Sequence, residues 1–442
     1  MKDRWTYLVA VVAIVLVPAL ARGASSGPTL LSQTTWGGPN SDTPNGVAVA
    51  ADGSSYVVGI TDSFTVDQFG QPSASIFILK FGPDGSLTWQ RVWTGPTLFG
   101  PFQGPAVALA ADGSVYVAGT TTNINGGDAF LLKFDGNGNL LWQRTWGGTD
   151  FDQGAAVAAA ADGSAYVVGT TRSFGTPQTL FIVKFTADGT LVWQKLSDFF
   201  NGMAAAVGPD GSVYAAGASP RPNTAFSFDV VVQKMTPDGA QVWATAYSAG
   251  EIVDPRGGMT VAPDGSIYVA GVAQVPVHGF VDNRALILKF GPDGTLTWDR
   301  EWGGSNGDTA AGVSAAPDGT VYIAGTTSSF GVGNDAFVVH LLPTGKGADA
   351  VTWGGNGIDN GNGVGVAGDG TVVLAAAAQA PPYSFLRAPA KTSMAKGVTA
   401  TPSGSLSDAA GTVSDPGAAV ITPAGSTIFA GSLDAALVRI RP

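Results

Sequence analysis

One short pattern, an Asp-Gly turn between two apolar runs, recurs along the chain. Its turn glycine falls at Gly53, Gly113, Gly163, Gly211, Gly265, Gly319, Gly370 and Gly425, a period of roughly 50 residues that marks a repeat architecture. A complete unit reads GAAVAAAADGSAYVVGTT from Gly154, then a variable loop, then LFIVKFTADGTLVWQKL. Four strand-like pieces stand in each unit, such as AVALA, SVYVAGT, AFLLKF and LLWQRTW around Gly113. Four short antiparallel strands per repeat is the pattern of a β-propeller blade. The turns have a local cause. Asp-Gly at Asp52, Asp112, Asp162, Asp210, Asp264, Asp318 and Asp369 joins strands one and two, where glycine takes the positive φ that a tight hairpin needs. The same dipeptide joins strands three and four at Asp84, Asp188, Asp238 and Asp293. Hairpin geometry accounts for these aspartates without any metal.

Composition agrees with an all-β chain dense in turns. The 442 residues include 63 Gly, 27 Pro, 22 Phe and 11 Trp, and only 12% are charged, the reverse of a disordered composition. A net charge of -11 excludes the clustered cations that nucleic acid requires and disfavours an anionic membrane surface. With no Cys there is no disulfide, thiolate metal site or cysteine nucleophile. The amino terminus, with Lys2 and Arg4, an apolar run from Trp5 to Val17 and Ala19-Leu20-Ala21, reads as a signal peptide over 1–21. Residues 22–442 are then one exported propeller domain, extracellular, at the cell surface or periplasmic, with no integral membrane segment after cleavage.

Eight turn glycines predict eight blades. The segment 375–416 is a degenerate blade on that count; the alternative is a seven-bladed ring with 375–416 as an inserted loop. The chain reaches Pro442 where a last fourth strand is due, while TLLSQTTWGG near the start matches the fourth strand NLLWQRTWGG at Asn139 to Gly148. The stretch Leu30 to Trp36 is therefore expected to complete the carboxy-terminal blade and close the ring, removing two open edges.

The motifs WGG followed by Asp, GVAVAADGSxYVxGTT, DAFLLKF and GxLxWQRTWGG resemble the SBBP-type β-propeller repeats of bacterial and archaeal exported and cell-surface proteins. The resemblance implies an exported propeller and no defined reaction. A second resemblance, to the eight-bladed quinoproteins, rests on DGTLTW at Asp293 to Trp298. The cysteine pair typical of quinoprotein dehydrogenases cannot exist here, so no quinone cofactor is expected.

Chemistry-bearing residues are sparse. Of two histidines, His340 stands where other units carry Lys80, Lys133, Lys184, Lys234, Lys289 and Arg439, a position read as structural, with the stem packed on the next blade and the head near the rim or over a Trp. His278 lies in the loop VAQVPVHGFVDNR beside Asp282 and Arg284 with no nucleophile at motif spacing. Asp42, Asp152, Asp308 and Asp359 each follow a Trp by six residues; they either accept hydrogen bonds from loop amides or bind structural calcium. The pairs Ser63-Phe64, Ser173-Phe174 and Ser329-Phe330 read as loop packing. One face carries uniform Asp-Gly turns, while the loops after strand two range from NINGGD to TDSFTVDQFGQPSAS and SPRPNTAFSF. Binding residues concentrate on variable loops of a rigid scaffold, which makes Phe99, Phe102, Arg221, Phe226, His278 and Arg284 the candidate binding set. The function expected is a non-enzymatic binding or scaffolding module for protein or polysaccharide; the alternative is a carbohydrate-active lyase or hydrolase using carboxylates on the variable face.

Overall fold

The second and third strands of each unit are unbroken apolar runs rich in β-branched and aromatic residues, the composition of strands buried on both faces. In the third unit, Tyr166 to Val168 and Leu180 to Val183 are all buried. They pair at the centre of a four-stranded antiparallel blade made of Asp152–Ala159, Ala165–Thr171, Thr179–Phe185 and Leu191–Ser197. The computed structural model describes residues 27–442 except 67–68, 96–103, 122–125, 175–177, 222–227, 250–252, 256–257, 278–279, 332, 380–382, 393–396, 401–405, 409–411, 415–418 and 422–432. The signal-peptide segment 1–21 and Gly425 lie outside the described residues.

Each Asp-Gly turn between strands one and two closes its hairpin in the same way. In the third blade Gly163 sits at φ +83° and donates to the Ala160 carbonyl at 3.0 Å, while Asp162 Oδ1 accepts the Ser164 amide at 2.9 Å. The first strand of each blade lies innermost and is built of small residues such as AVAA, because the blades converge toward the axis; Trp and Phe fill the wider gaps outside.

Seven such sheets form the ring. Blades 1 to 6 span 42–94, 106–147, 152–197, 201–249, 253–302 and 308–354, and blade 7 is assembled from Asn360–Val366, Val372–Ala378, Asp434–Arg441 and Thr29–Trp36. Thr29–Trp36 runs antiparallel to Asp434–Arg441, from Thr29 opposite Arg441 to Trp36 opposite Ala435. Seven apolar clusters each join two adjacent blades, the one around Trp36, Phe77 and Leu437 joining blade 7 to blade 1.

The expected count of eight is therefore corrected to seven. After Val372–Ala378 the chain leaves blade 7 and travels round the outside of the ring as a strap. Ser384–Arg387, Gly397–Ala400, Leu406–Asp408, Thr412–Ser414 and Ala419–Ile421 pair as fifth strands on the outer edges of blades 6, 4, 3, 2 and 1. The chain then re-enters blade 7 as its third strand. Residues 379–433 carry no Trp and only Tyr383, Phe385 and Phe429 as aromatics. An eighth blade would need large side chains to pack both its faces against neighbours, and this stretch lacks them, so it adds edge strands instead.

A ring of hydrogen bonds accounts for the WQRxW motif. The last Trp of one blade donates to the Gln of the next: Trp36 to Gln90 at 2.6 Å, Trp93 to Gln143 at 3.0 Å, Trp146 to Gln194 at 2.6 Å and Trp353 to Gln33 at 2.9 Å. Where the motif changes, a substitute appears. Ser197 bonds Gln233, which lies across from Ala244 at the Gln position, at 3.1 Å, and Tyr247 bonds Asp299 at 3.0 Å. Ala350 holds the Gln position of blade 6, and there Trp302 donates instead to the Pro389 carbonyl of the strap at 2.7 Å. All seven blade junctions are thus bridged.

Candidate functional site

The loops entering each blade and those following its second strand meet on one face, and the WGG motif shows how. In the junction of blades 2 and 3, the Gly148 amide donates to Asp152 Oδ2 at 2.7 Å, and Ser173 Oγ donates to the same oxygen at 2.7 Å. Thr171 donates to the other oxygen. Asp42 with Gly38 and Ser63, and Asp308 with Gly304 and Ser329, repeat the arrangement at 2.7 to 2.8 Å. The phenylalanine after each serine packs on the preceding Trp: Phe64 on Trp36, Phe174 on Trp146 and Phe330 on Trp302, at 5.0 to 5.7 Å. Both glycines are sterically required. A Cβ on Gly148 would lie 2.6 Å from Ser173 Cβ, and one on Gly147 would lie 2.1 Å from Asp128 Oδ1 and 2.8 Å from Asp152 Oδ2. Asp359 varies the theme, accepting the Gly355 amide at 2.7 Å and the Gln379 amide at 3.1 Å.

The four aspartates singled out by sequence are all fully buried, and the structure places internal donors on each. Charge accumulates beside them. Asp128 faces Asp152 across Gly147, Asp434 faces Asp42 across Gly37, and Asp335 faces Asp359 across Gly354. Burial pushes the carboxyls of Asp42, Asp128 and Asp359 above the ordinary value of 3.8, and the Asp152 charge pushes Asp128 further the same way. A raised value means the folded ring binds that proton more tightly than the unfolded chain. The resulting stabilisation is present below 3.8 and disappears as pH rises through the folded value. Asp128→Asn should therefore gain stability relative to the parent as pH is raised from about 4 to 6, read as a widening difference in urea midpoint. A constant difference would show that the pair does not titrate.

Of the candidate binding residues, the structure describes Arg221 and Arg284, which lie in different blades. Phe99, Phe102, Phe226 and His278 lie outside the described residues. Arg221, in blade 4, bonds Asp229, which also accepts Ser248 Oγ at 2.6 Å. Arg284, in blade 5, pairs with Asp282 at 2.9 Å, and Asp282 accepts the Gly307 amide at 2.8 Å. Both arginines thus brace their own hairpins. The stretch read as an irregular loop around 278 is mostly regular: Ile267–Val277 and Phe280–Phe290 pair along their whole length, the longest hairpin of the ring. The β-branched run VAQVPV on one side and FVDNR on the other carried that signal, obscured by Pro276. Sequence reading also missed the exposed apolar tips on this face, Val66 at 68%, Phe69 at 77% and Val281 at 60% exposure.

Along the axis the inner strands leave a channel of about 370 Å³, lined by Gly, Ala, Val and Pro with Asn45, Asn362, Met203 and Met259. Among the described residues, none of its lining side chains is an acid, base, hydroxyl or thiol. Among the described residues no three His, Asp or Glu side chains converge to hold a metal, and no helix is long and apolar enough to cross a membrane.

A family described as a β-propeller domain of unknown function, DUF5122, matches residues 110–140 and 160–191. No curated protein matches the chain. Among solved structures, the Dos1 propeller is 8% identical, covering 83% of this chain and 94% of its own, with a TM-score of 0.41. Sqt1 of Chaetomium thermophilum, bound to the N-terminus of ribosomal protein L10, is 13% identical, covering 77% and 95%, with a TM-score of 0.41. A fungal alcohol oxidase of the AA5 family in complex with copper is 14% identical, covering 82% and 76%, with a TM-score of 0.44. Likenesses this distant carry no argument about activity. Seven antiparallel four-stranded blades, the repeat that builds them and the family match make this chain a β-propeller repeat protein of the all-β class.

Proposed function

We propose that the chain is an exported or cell-surface propeller that acts as a non-enzymatic binding or scaffolding module, taking a protein or polysaccharide on its variable face. The observation that carries this is the axial channel, whose described lining residues offer no group able to move a proton or attack a substrate. A glycoside hydrolase or lyase would need open paired carboxylates. The pairs present here are enclosed at blade junctions and hold loops, which also favours loop fastening over calcium for Asp42, Asp152, Asp308 and Asp359. Export rests on the amino-terminal sequence and on the SBBP-type resemblance. The exposed Val66, Phe69 and Val281 supply apolar contact points on the hairpins after the second strands of blades 1 and 5.

The test is a polysaccharide array and a panel of cell-surface proteins probed with the purified chain, then with Phe69→Ser and Val281→Ser. Saturable binding that weakens about tenfold or more in the variants, with unchanged melting, supports a binding module on this face. Binding that survives both substitutions moves the contact elsewhere, and turnover of any polysaccharide overturns the non-enzymatic reading.

A further inference from the structure

Blades 1 to 5 share a two-residue device near the hairpin joining their third and fourth strands. Lys80, Lys133, Lys184, Lys234 and Lys289 each lie over a tyrosine of the second strand, not over a tryptophan, with Nζ 5.1 to 5.3 Å from the ring centroid. Across from each lysine on the fourth strand stands a tryptophan: Trp89, Trp142, Trp193, Trp243 or Trp298. Every one of these indoles donates to a carbonyl in the corresponding hairpin of the next blade, at 3.0 to 3.1 Å. Four of the lysines donate to the same carbonyl at 2.9 to 3.4 Å. The fifth, Lys234, pairs with Asp210 at 2.8 Å.

Blade 6 departs at both positions together. The lysine is His340, the tryptophan is Asp349, and the two are cross-strand partners. The cause lies in the next blade. Blade 7 takes its third and fourth strands from Asp434–Arg441 and Thr29–Trp36, which are distant in sequence, so no hairpin joins them and no hairpin carbonyl stands where the other blades present one. Pro28, Val372, Ile440 and Pro442 line the small cavity there instead. An ammonium at this place would lack the hairpin carbonyl that four of the lysines use and would be left with Asp318, the counterpart of the Asp210 that pairs with Lys234, at a seam walled by apolar side chains, which is costly. Imidazole can occupy the place because it can shed its charge. Its ring stacks on Tyr322 with centroids 4.5 Å apart and planes 9° from parallel, and neither ring nitrogen has a hydrogen-bond partner.

We propose that His340 is a proton-operated clasp on the seam between blades 6 and 7, closed when the imidazole is neutral and loosened when a proton turns it into an enclosed cation. The groups facing it agree with this. Asp318, on the hairpin before Val321–Thr327, and Asp349 attract the proton, while burial opposes it more strongly and holds His340 below its ordinary value of 6.5. Tyr322 presents a neutral ring. Blade 7 presents apolar walls, with Arg439 and Arg441 at the alternate positions of its strand. Arg439 interacts with Asp369 and Asp84. Stability from the neutral imidazole is then complete above 6.5 and lost as pH falls through the folded value.

The chain has two histidines, so imidazole NMR of the whole protein resolves each titration. The expected result is that His340 titrates below 6.5 and that, between about pH 7 and pH 5, the wild-type melting midpoint falls relative to that of His340→Gln, which keeps only the response of the buried carboxyls. Over the same interval, hydrogen exchange corrected for intrinsic rates should rise first in 434–441 and 29–36, by about tenfold for each unit of depression. His340→Lys should be destabilised throughout. Titration at or above 6.5, an equal pH response in His340→Gln, or exchange rising first in blades 2 to 4 overturns the proposal. If His340→Gln does not fold, the wild-type titration and exchange decide it alone.

Discussion

Gly169→Ala will cost about 3 kcal/mol or more in urea unfolding, whereas Gly113→Ala will cost about 1 to 2 kcal/mol. The two glycines are both in the repeat but serve different needs. Gly113 sits at φ +81° in an Asp-Gly turn with nothing within 4 Å of an added Cβ, so alanine there meets only backbone strain. Gly169 lies in a second strand opposite the point where the first strand shifts register between Gly154 and Ala156. That bulge folds the Gln153 carbonyl over it, 1.8 Å from where a Cβ would be, with the Phe181 ring at 2.7 Å. A carbonyl held in a ladder cannot swing aside as a side chain can. Gly59, Gly217 and Gly325 meet equivalent carbonyls at 1.9 to 2.2 Å, so the same contrast should hold in blades 1, 4 and 6. Equal costs at Gly113 and Gly169 would mean that the first strand relaxes freely, against the packing described above.

Trp93→Ala is expected to cost about 3 to 5 kcal/mol, with Trp93→Phe intermediate. The indole is fully buried between blades 1 and 2, lies 4.8 Å from Phe130, and donates to Gln143 at 3.0 Å. Alanine opens a cavity at a blade interface and removes the bridge; phenylalanine keeps most of the ring and removes only the bridge. The difference between the variants separates packing from the junction hydrogen bond. A phenylalanine variant as stable as the parent would show that the bridges around the ring add nothing to packing.

Most of the repeat's chemistry is visible in the chain because it is local. Asp-Gly needs only its own hairpin, and unbroken runs such as FIVKF need only burial on both faces. Even the match between Leu30 to Trp36 and other fourth strands could be read, since it repeats a motif. What the motifs are for could not be read, because WGG, the following Asp and the Ser-Phe pair come together only when two blades stack. The two glycines make room for carboxylates and a serine up to 25 residues away in the chain, from Gly148 to Ser173. Blade number escaped for a related reason. Residues 421 to 431, ITPAGSTIFAG, imitate the turn that opens a blade, but a blade exists only if both its faces find partners. With few aromatic side chains to offer, the stretch after blade 7's second strand pairs, in its described strands from Ser384 to Ile421, with the outer edges of other blades instead.

By itself, then, the sequence determined the class of strand, the hairpins that join them and the four-strand period, all set by interactions within about 50 residues. Tertiary structure alone decided that seven blades close the ring, that the strap passes outside them, and that Pro389, Gln233 and His340 stand in for missing members of the repeat. Those choices depend on how the gaps between neighbouring blades are filled, and a gap belongs to two units at once.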